Sequence, residues 1–153
     1  MSGKLGMEAK LYYKRGGVAA AGDWSECENV KDNKLSLSKA LADFSTRGNN
    51  GWRAQKGGLK EASVAFQMIW DIDDADFDAF IDAFISGDVI GLAIMDGPIA
   101  TGTGLVADFE VSKMDRDEGL ENPMTADVEC VITYSATAPQ WYEEGATGTG
   151  TAP

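Results

Sequence analysis

The chain has 153 residues, of which 44% are hydrophobic, so it suits one globular domain with a sizeable core. Its formal net charge of −12 argues against a protein that grips nucleic acid, and its lack of histidine excludes His-based triads and histidine metal sites. The longest apolar run, 89–95, is far shorter than the roughly 20 residues of a membrane helix, so we expect no membrane insertion. The N-terminus lacks the apolar core of a signal peptide, which predicts synthesis in the cytoplasm.

The charge is unevenly distributed along the chain. Residues 1–60 carry eleven Lys and Arg against six Asp and Glu, whereas residues 61–153 carry two against nineteen. If folding puts these halves on different faces, copies of the chain can associate head to tail. The alternative is that the charges intermix on the folded surface.

The first half of the chain reads as strands and turns. Residues 7–14 alternate between apolar and polar and predict a strand, and 35–44 predicts another after a short extended piece at Cys27 and Val30. Cys27 and Cys130 could pair, but in a cytoplasmic chain they are expected to be buried free thiols.

Residues 45–58 have a different character, with four glycines, three cations and no acid. A loop this long is commonly functional or disordered, and Trp52 within it needs a place to bury its ring. One interpretation is a floppy hairpin end; the other is an arm that becomes ordered on a neighbouring molecule. The candidate contact residues are Arg47, Asn49, Asn50, Trp52, Arg53 and Lys56.

One helix is predicted, at about 74–86, after a long strand at 62–70. Asp73 or Asp74 can cap its first amides, and Gly87 suits its C-terminal end. Five apolar residues recur at helical spacing and predict one stripe packed against the sheet. They are Phe77, Phe80, Ile81, Phe84 and Ile85.

The second half continues with a buried central strand at 89–95 and a hairpin formed by 105–111 and 124–134. Alternation in that hairpin points four acids outward: Asp108, Glu110, Asp127 and Glu129. Residues 136–153 form a small, polar C-terminal extension with a flexible Gly/Thr-rich end. The predicted fold is therefore mainly β, a sandwich or open barrel over residues 1–135, with one flanking helix.

Two chemical alternatives fit the acidic residues poorly. An EF-hand loop started at Asp71 would place Ala75 at a ligand position and Asp76 where glycine is needed. Paired carboxylates could serve glycoside hydrolysis, but no accompanying motif is present. We therefore assign no catalytic residue, no metal site and no cofactor, and we expect no enzyme activity.

The order of elements, together with phrases such as 29–39 (NVKDNKLSLSK), Gly51-Trp52-Arg53 and 58–64 (GLKEASV) through Trp70-Asp71, resembles the major tail (tail tube) proteins of long-tailed bacteriophages. The resemblance spans roughly residues 5–135. It implies a β-sandwich or open barrel, six copies in a ring, and stacked rings that form a channel for DNA during genome ejection. It also implies a place in the virion tail, assembly in the bacterial host, and tail tip (initiator) and terminator proteins as partners.

Under this resemblance, the basic loop would reach the next ring, where an acidic surface would meet it. The outward acids are candidates for the lumen, because an acidic wall lets DNA slide without sticking, although the outer surface is an equal geometric possibility. The alternative is another virion or surface β-domain, such as a head-tail connector or a carbohydrate-binding module. A binding module would gather exposed aromatics, such as Trp24, Trp52 and Trp141, in one groove.

Overall fold

The computed structural model describes residues 6–20, 22–99 and 101–142, and within them it contains eight strands and one α-helix. The strands are β1 (Lys10–Arg15), β2 (Ser25–Glu26), β3 (Lys31–Asp43), β4 (Gln55–Ile69), β5 (Ile90–Met95), β6 (Gly104–Asp117), β7 (Thr125–Ile132) and β8 (Gln140–Tyr142), and the helix α1 is Ala75–Ser86. Short 3₁₀ helices occur at Gly6–Glu8 and Arg47–Asn49. The predictions of a mainly β fold with one helix at about 74–86 are confirmed.

All strands pair antiparallel in one sheet, in the order β2-β1-β5-β6-β7-β4-β3, and β8 pairs with the start of β6. Strand β6 joins two halves of the sheet, because its first part pairs with β5 and its later part with β7. A register shift between Val111 and Lys113 lies in that later part. Such irregularities bend a strand and increase its twist, so the sheet can curl around a core.

The helix bridges the two halves of the curled sheet. Its Phe80 is fully buried and contacts Tyr13 of β1 and Phe66 of β4, with ring centroids 5.8 Å and 5.1 Å away. The Asp74 side chain accepts a hydrogen bond from the Asp76 N–H at the N-terminus, and Gly87 (φ 77°) ends the helix in the left-handed region. Strand β5 is buried along its whole length, as a central strand should be.

The apolar stripe predicted for the helix contains more residues than the helix buries. Phe77 and Phe80 are fully buried and Ile81 packs partly against the core, but Phe84 is 42% exposed and Ile85 is 77% exposed. The prediction that Phe84 and Ile85 pack against the sheet is therefore wrong. The small side chains of Ala79 and Ala83 are buried instead, and their size lets that side of the helix approach the sheet closely.

A second, smaller cluster covers the opposite face of the sheet near its centre. Ala93, Met95 and Val106 are buried there under Trp24, Tyr142 and other side chains from segments outside the main core. As a consequence, the C-terminal extension is partly built into the domain, since β8 belongs to it. The predicted flexible end, from residue 143 onward, lies outside the described residues.

Candidate assembly surfaces

The longest pair of strands leaves the body of the domain as an arm, which we define as residues 36–61. It consists of the distal halves of β3 and β4 and the turn between them. All of its residues are exposed except for two half-buried positions in the turn, whereas β4 beyond residue 61 alternates with core residues. A two-stranded ribbon with no layer on either face is only marginally stable by itself, so this arm is suited to pack on another surface.

The structure shortens the predicted loop. Strand β4 begins at Gln55, so residues 55–57 pair with β3 and the turn spans only residues 44–54. The Ser45 Oγ accepts a hydrogen bond from the Ala54 N–H at 2.9 Å, and the Phe44 N–H donates to the Ala54 carbonyl at 2.9 Å. The Asp43 carboxylate accepts from the Ser45 N–H at 2.8 Å, and hydrogen bonding to Ser45 lowers the pKa of that carboxyl. The turn is therefore folded.

The predicted contact residues lie close together at this turn. Arg47 and Asn49 are in the 3₁₀ helix, and Asn50 (φ 53°) follows in the left-handed region. Trp52 is 80% exposed, so its ring is not buried on its own domain. Arg53 follows it in the turn. Lys56 lies on the arm itself, with its ammonium 5.7 Å from the Phe44 ring centroid.

Several apolar residues on the arm are exposed, which their sequence pattern does not indicate. Leu37 is 59% exposed, Leu41 is 60% exposed, and Phe44 and Leu59 are exposed as well. The alternation of leucine and serine at 35–38 correctly predicts a strand with one apolar face. It carries no signal that this face lacks a covering layer.

Three of the four predicted lumen candidates share one polar sheet face. Glu110 and Asp127 are exposed and Glu129 is half-buried. The register places Glu129 opposite Lys113 and Asp127 opposite Gln67, whose amide donates to the Asp127 carboxylate at 3.2 Å. Because paired residues point to the same face, acids, a lysine and an amide form one mixed polar surface. Whether this face lines a channel stays a prediction.

Asp108 corrects the fourth assignment, because it is only 5% exposed and the prediction that it points outward into solvent is wrong. Its carboxylate accepts hydrogen bonds from the Val18 N–H at 2.6 Å and from the Ser135 hydroxyl. Gly17 (φ 108°) lies so close that a Cβ there would meet the carboxylate at 2.8 Å. The glycine-rich turn at Gly17 and the segment at Ser135 cover this part of β6, and the Asp108 carboxylate is hydrogen-bonded to both segments.

The aromatic groove expected of a binding module is not formed by the three tryptophans. Trp52 is on the arm turn, and Trp24 packs on the second cluster with Lys14 5.0 Å above its ring. Trp141 lies opposite Leu105, a residue of the main core, and therefore on the other face of the sheet from that cluster.

The acidic residue Asp76 in the first turn of α1 joins the helix to β1 and to the segment at Glu28. Asp76 accepts hydrogen bonds from the Tyr13 hydroxyl at 2.8 Å and from the Glu28 N–H at 3.0 Å. In the part of the chain that the structure describes, no three His, Cys, Asp or Glu side chains are grouped to hold a metal ion. Within those same residues, no helix is long and apolar enough to cross a membrane.

Two of the solved structures that are similar to this chain are the tail of a gene transfer agent particle and the SPP1 tail tube. The chain superposes on a subunit from the tail of an empty gene transfer agent particle, computed with helical refinement and C6 symmetry, with a TM-score of 0.72. That match covers 91% of this chain and 98% of the other at 15% identity. This chain has the tail tube fold.

Two further structures extend the comparison. A subunit of the SPP1 tail tube matches with a TM-score of 0.72 and 15% identity over 95% of this chain and 82% of that one. A chain from the 6-fold symmetrised baseplate of the anti-feeding prophage matches with a TM-score of 0.62 and 8% identity, over 88% and 94% of the two chains. No family model and no curated protein sequence matches this chain.

Proposed function

We propose that this protein is the structural subunit of a phage-type tail tube. Copies join into rings of six, the rings stack, and the resulting channel carries DNA during genome ejection. The observation that carries the proposal is the match of nearly the whole chain to a C6-symmetric tail subunit, with 91% and 98% of the two chains covered. The subunit would act in the virion tail as a structural component, not an enzyme, after assembly in the host cytoplasm with tail tip (initiator) and terminator proteins.

The edges of the sheet support assembly into rings. Strand β3 is thirteen residues long and terminal in the sheet, and among residues 6–20, 22–99 and 101–142 no strand pairs with its outer edge. A long, exposed edge strand is a liability in a monomer, since it offers unpaired backbone groups to other chains. In a ring the same edge supplies the joint between neighbouring subunits.

The polar sheet face supports a channel role. Glu110, Asp127 and Glu129 share this face, and Lys113 lies in the same row as Glu129. A wall of mixed charge with an acidic excess offers phosphates no continuous cationic track, so DNA passes without specific binding. Asp108 has no part in this wall, because its carboxylate is hydrogen-bonded inside the subunit.

The arm turn supports stacking of rings. It holds Arg47, Arg53 and exposed Trp52 at the far end of the arm, away from the core. A contact of this kind joins different patches on the two subunits and does not close, so it propagates a filament.

Electron microscopy of the purified protein at high concentration, beside its mass in solution, is the first test. We expect hollow rings or tubes, either spontaneously or on a tail-tip seed. A protein that remains monomeric both alone and with the tail-tip seed would refute the proposal.

The second test replaces residues 46–53 with Asn-Gly, a two-residue turn that suits a β-hairpin. The replaced residues lie outside the core, so we expect an unchanged circular dichroism spectrum and melting temperature but no stacked tubes. A matched control shortens another exposed turn, residues 119–122, in the same way and should leave tube growth intact. Long tubes from the first variant would show that the turn is not the stacking element.

A further inference from the structure

The arm carries a row of residues that continues the core face of the sheet. Leu35 lies opposite fully buried Val64, and Leu37 opposite buried Ala62. Beyond Ala62 the row continues along the arm on β3 and, after a register shift between Lys39 and Leu41, reaches Leu41 opposite Gly57. The apolar surface thus extends from the core out to a place where this subunit provides no cover.

Two lysines interrupt this exposed row. Lys39 lies directly opposite Lys60 on the same face, and like charges in that position repel each other. Within the described residues neither lysine has an ion-pair partner. The Lys39 stem lies over Gly57, where an added Cβ would meet its Cδ at 2.5 Å. The row therefore presents two clustered positive charges flanked by leucines, which is complementary to a surface with paired acids and an apolar side chain.

The outward face of α1 has these properties. Asp78, Asp82 and Ile85 are spaced i, i+4 and i+7, so they lie in one line along the helix. Asp82 and Ile85 are exposed and Asp78 is half-buried, and the two acids, one turn apart, repel each other as the two lysines do. Arg15 reaches Asp82 at 3.2 Å, but both side chains are exposed, so this ion pair contributes little.

The spacings of the two charge pairs also agree. Opposed side chains on antiparallel strands have Cβ atoms about 4.5–5.5 Å apart. Residues one turn apart on a helix have Cβ atoms about 5–6 Å apart. Two lysines and two aspartates can therefore pair one to one, which removes the repulsion within each subunit.

We propose that Lys39 and Lys60 on the arm of one subunit bind Asp78 and Asp82 on α1 of a second copy of this chain, and that Ile85 packs on Leu41. The contact rests on the proposed tube function and assigns the surface that receives the arm. It also explains why Ile85, part of the helical apolar stripe, is left uncovered in the single subunit.

Charge reversal tests the contact. The arm variant is Lys39→Glu with Lys60→Glu, and the helix variant is Asp78→Lys with Asp82→Lys. Each should raise the critical concentration for tube growth at low salt by about tenfold or more, because each puts like charges together across the contact. The quadruple variant restores opposite charges and should return to within about threefold of the wild type.

Glu121→Lys is the matched control, because Glu121 is an exposed acid in the turn at 119–122, which lies outside the arm, strand β3, the polar face and α1. It should leave the critical concentration unchanged. If the wild type forms tubes and the quadruple variant is no better than either double variant, the contact is wrong while the tube function stands. If the wild type forms no tubes even on a seed, the tube function itself fails.

A binding assay tests the alternative that Lys39 and Lys60 bind nucleic acid. If the arm variant assembles normally but loses binding to a double-stranded DNA oligonucleotide that the wild type retains, the lysines serve nucleic acid and the proposal is overturned.

A disulfide test keeps the contact falsifiable if a charge variant folds poorly. The two native thiols are buried, so Leu41→Cys with Ile85→Cys adds the only accessible pair among the described residues. Mild oxidation of tubes should give a ladder of covalent oligomers. Leu41→Cys with Leu120→Cys, which uses another exposed leucine, should give none. Intact tubes without a ladder from the first pair would overturn the contact.

Discussion

Replacing Phe80 by alanine should remove a large part of the stability of the subunit. Phe80 is fully buried and contacts rings on both halves of the curled sheet. Burying such a side chain contributes about 2–3 kcal/mol, and each aromatic pair adds about 0.5–1.5 kcal/mol. The sum, about 4 kcal/mol, agrees with the usual cost of Phe→Ala in a core. It is a large fraction of the roughly 5–15 kcal/mol that stabilises a domain.

Urea unfolding followed by tryptophan fluorescence measures this loss. With a denaturant slope of about 2 kcal/mol per molar, the midpoint for Phe80→Ala should fall by about 2 M. Phe84→Ala is the matched control, since Phe84 is on the same helix but 42% exposed, and it should cost about 1 kcal/mol or less. Equal shifts for the two variants would refute the orientation of the helix described above.

Two further predictions concern buried polar groups and thiols. Asp108→Ala leaves the Val18 N–H without its acceptor and should lower the free energy of unfolding by about 1–3 kcal/mol in the same assay. A loss below about 0.5 kcal/mol, the size of an ordinary surface change, would show that the hydrogen bonds of Asp108 contribute little to stability. Cys27 and Cys130 should resist a thiol reagent in the native protein and react after unfolding, because both are buried free thiols, and burial raises the pKa of Cys130 to about 12. Rapid labelling of native protein at pH 8 would show that the structure around them opens.

Elements with strong periodicity were predictable. The helix was expected at about 74–86 and is found at Ala75–Ser86, because acidic capping residues and a terminal glycine bound a 3.6-residue apolar repeat. The central strand was expected at 89–95 and is found at Ile90–Met95, because a short, wholly apolar run must be covered on both faces.

The predictions that are wrong concern residues whose burial depends on segments distant in the chain. Asp108 alternates with apolar residues and reads as an outward acid, yet the turn at Gly17 and the segment at Ser135 cover it and supply its hydrogen bonds. Phe84 fits the helical repeat, but two buried alanines bring another side of the helix onto the sheet. Local spacing carries no information on either arrangement.

In the arm, some features follow from the local sequence and others only from the tertiary structure. The sequence by itself determined that residues near 45–58 are basic, polar and unlike a core segment, because charge and glycine content are local properties. Only the tertiary structure decided that Leu37 and Leu41 continue the core row beyond the body of the subunit, and that Lys39 meets Lys60 there. The register of the hairpin depends on the geometry of its turn, which the folded structure of residues 44–54 sets, and the reach of the covering layer depends on packing between segments far apart in the chain.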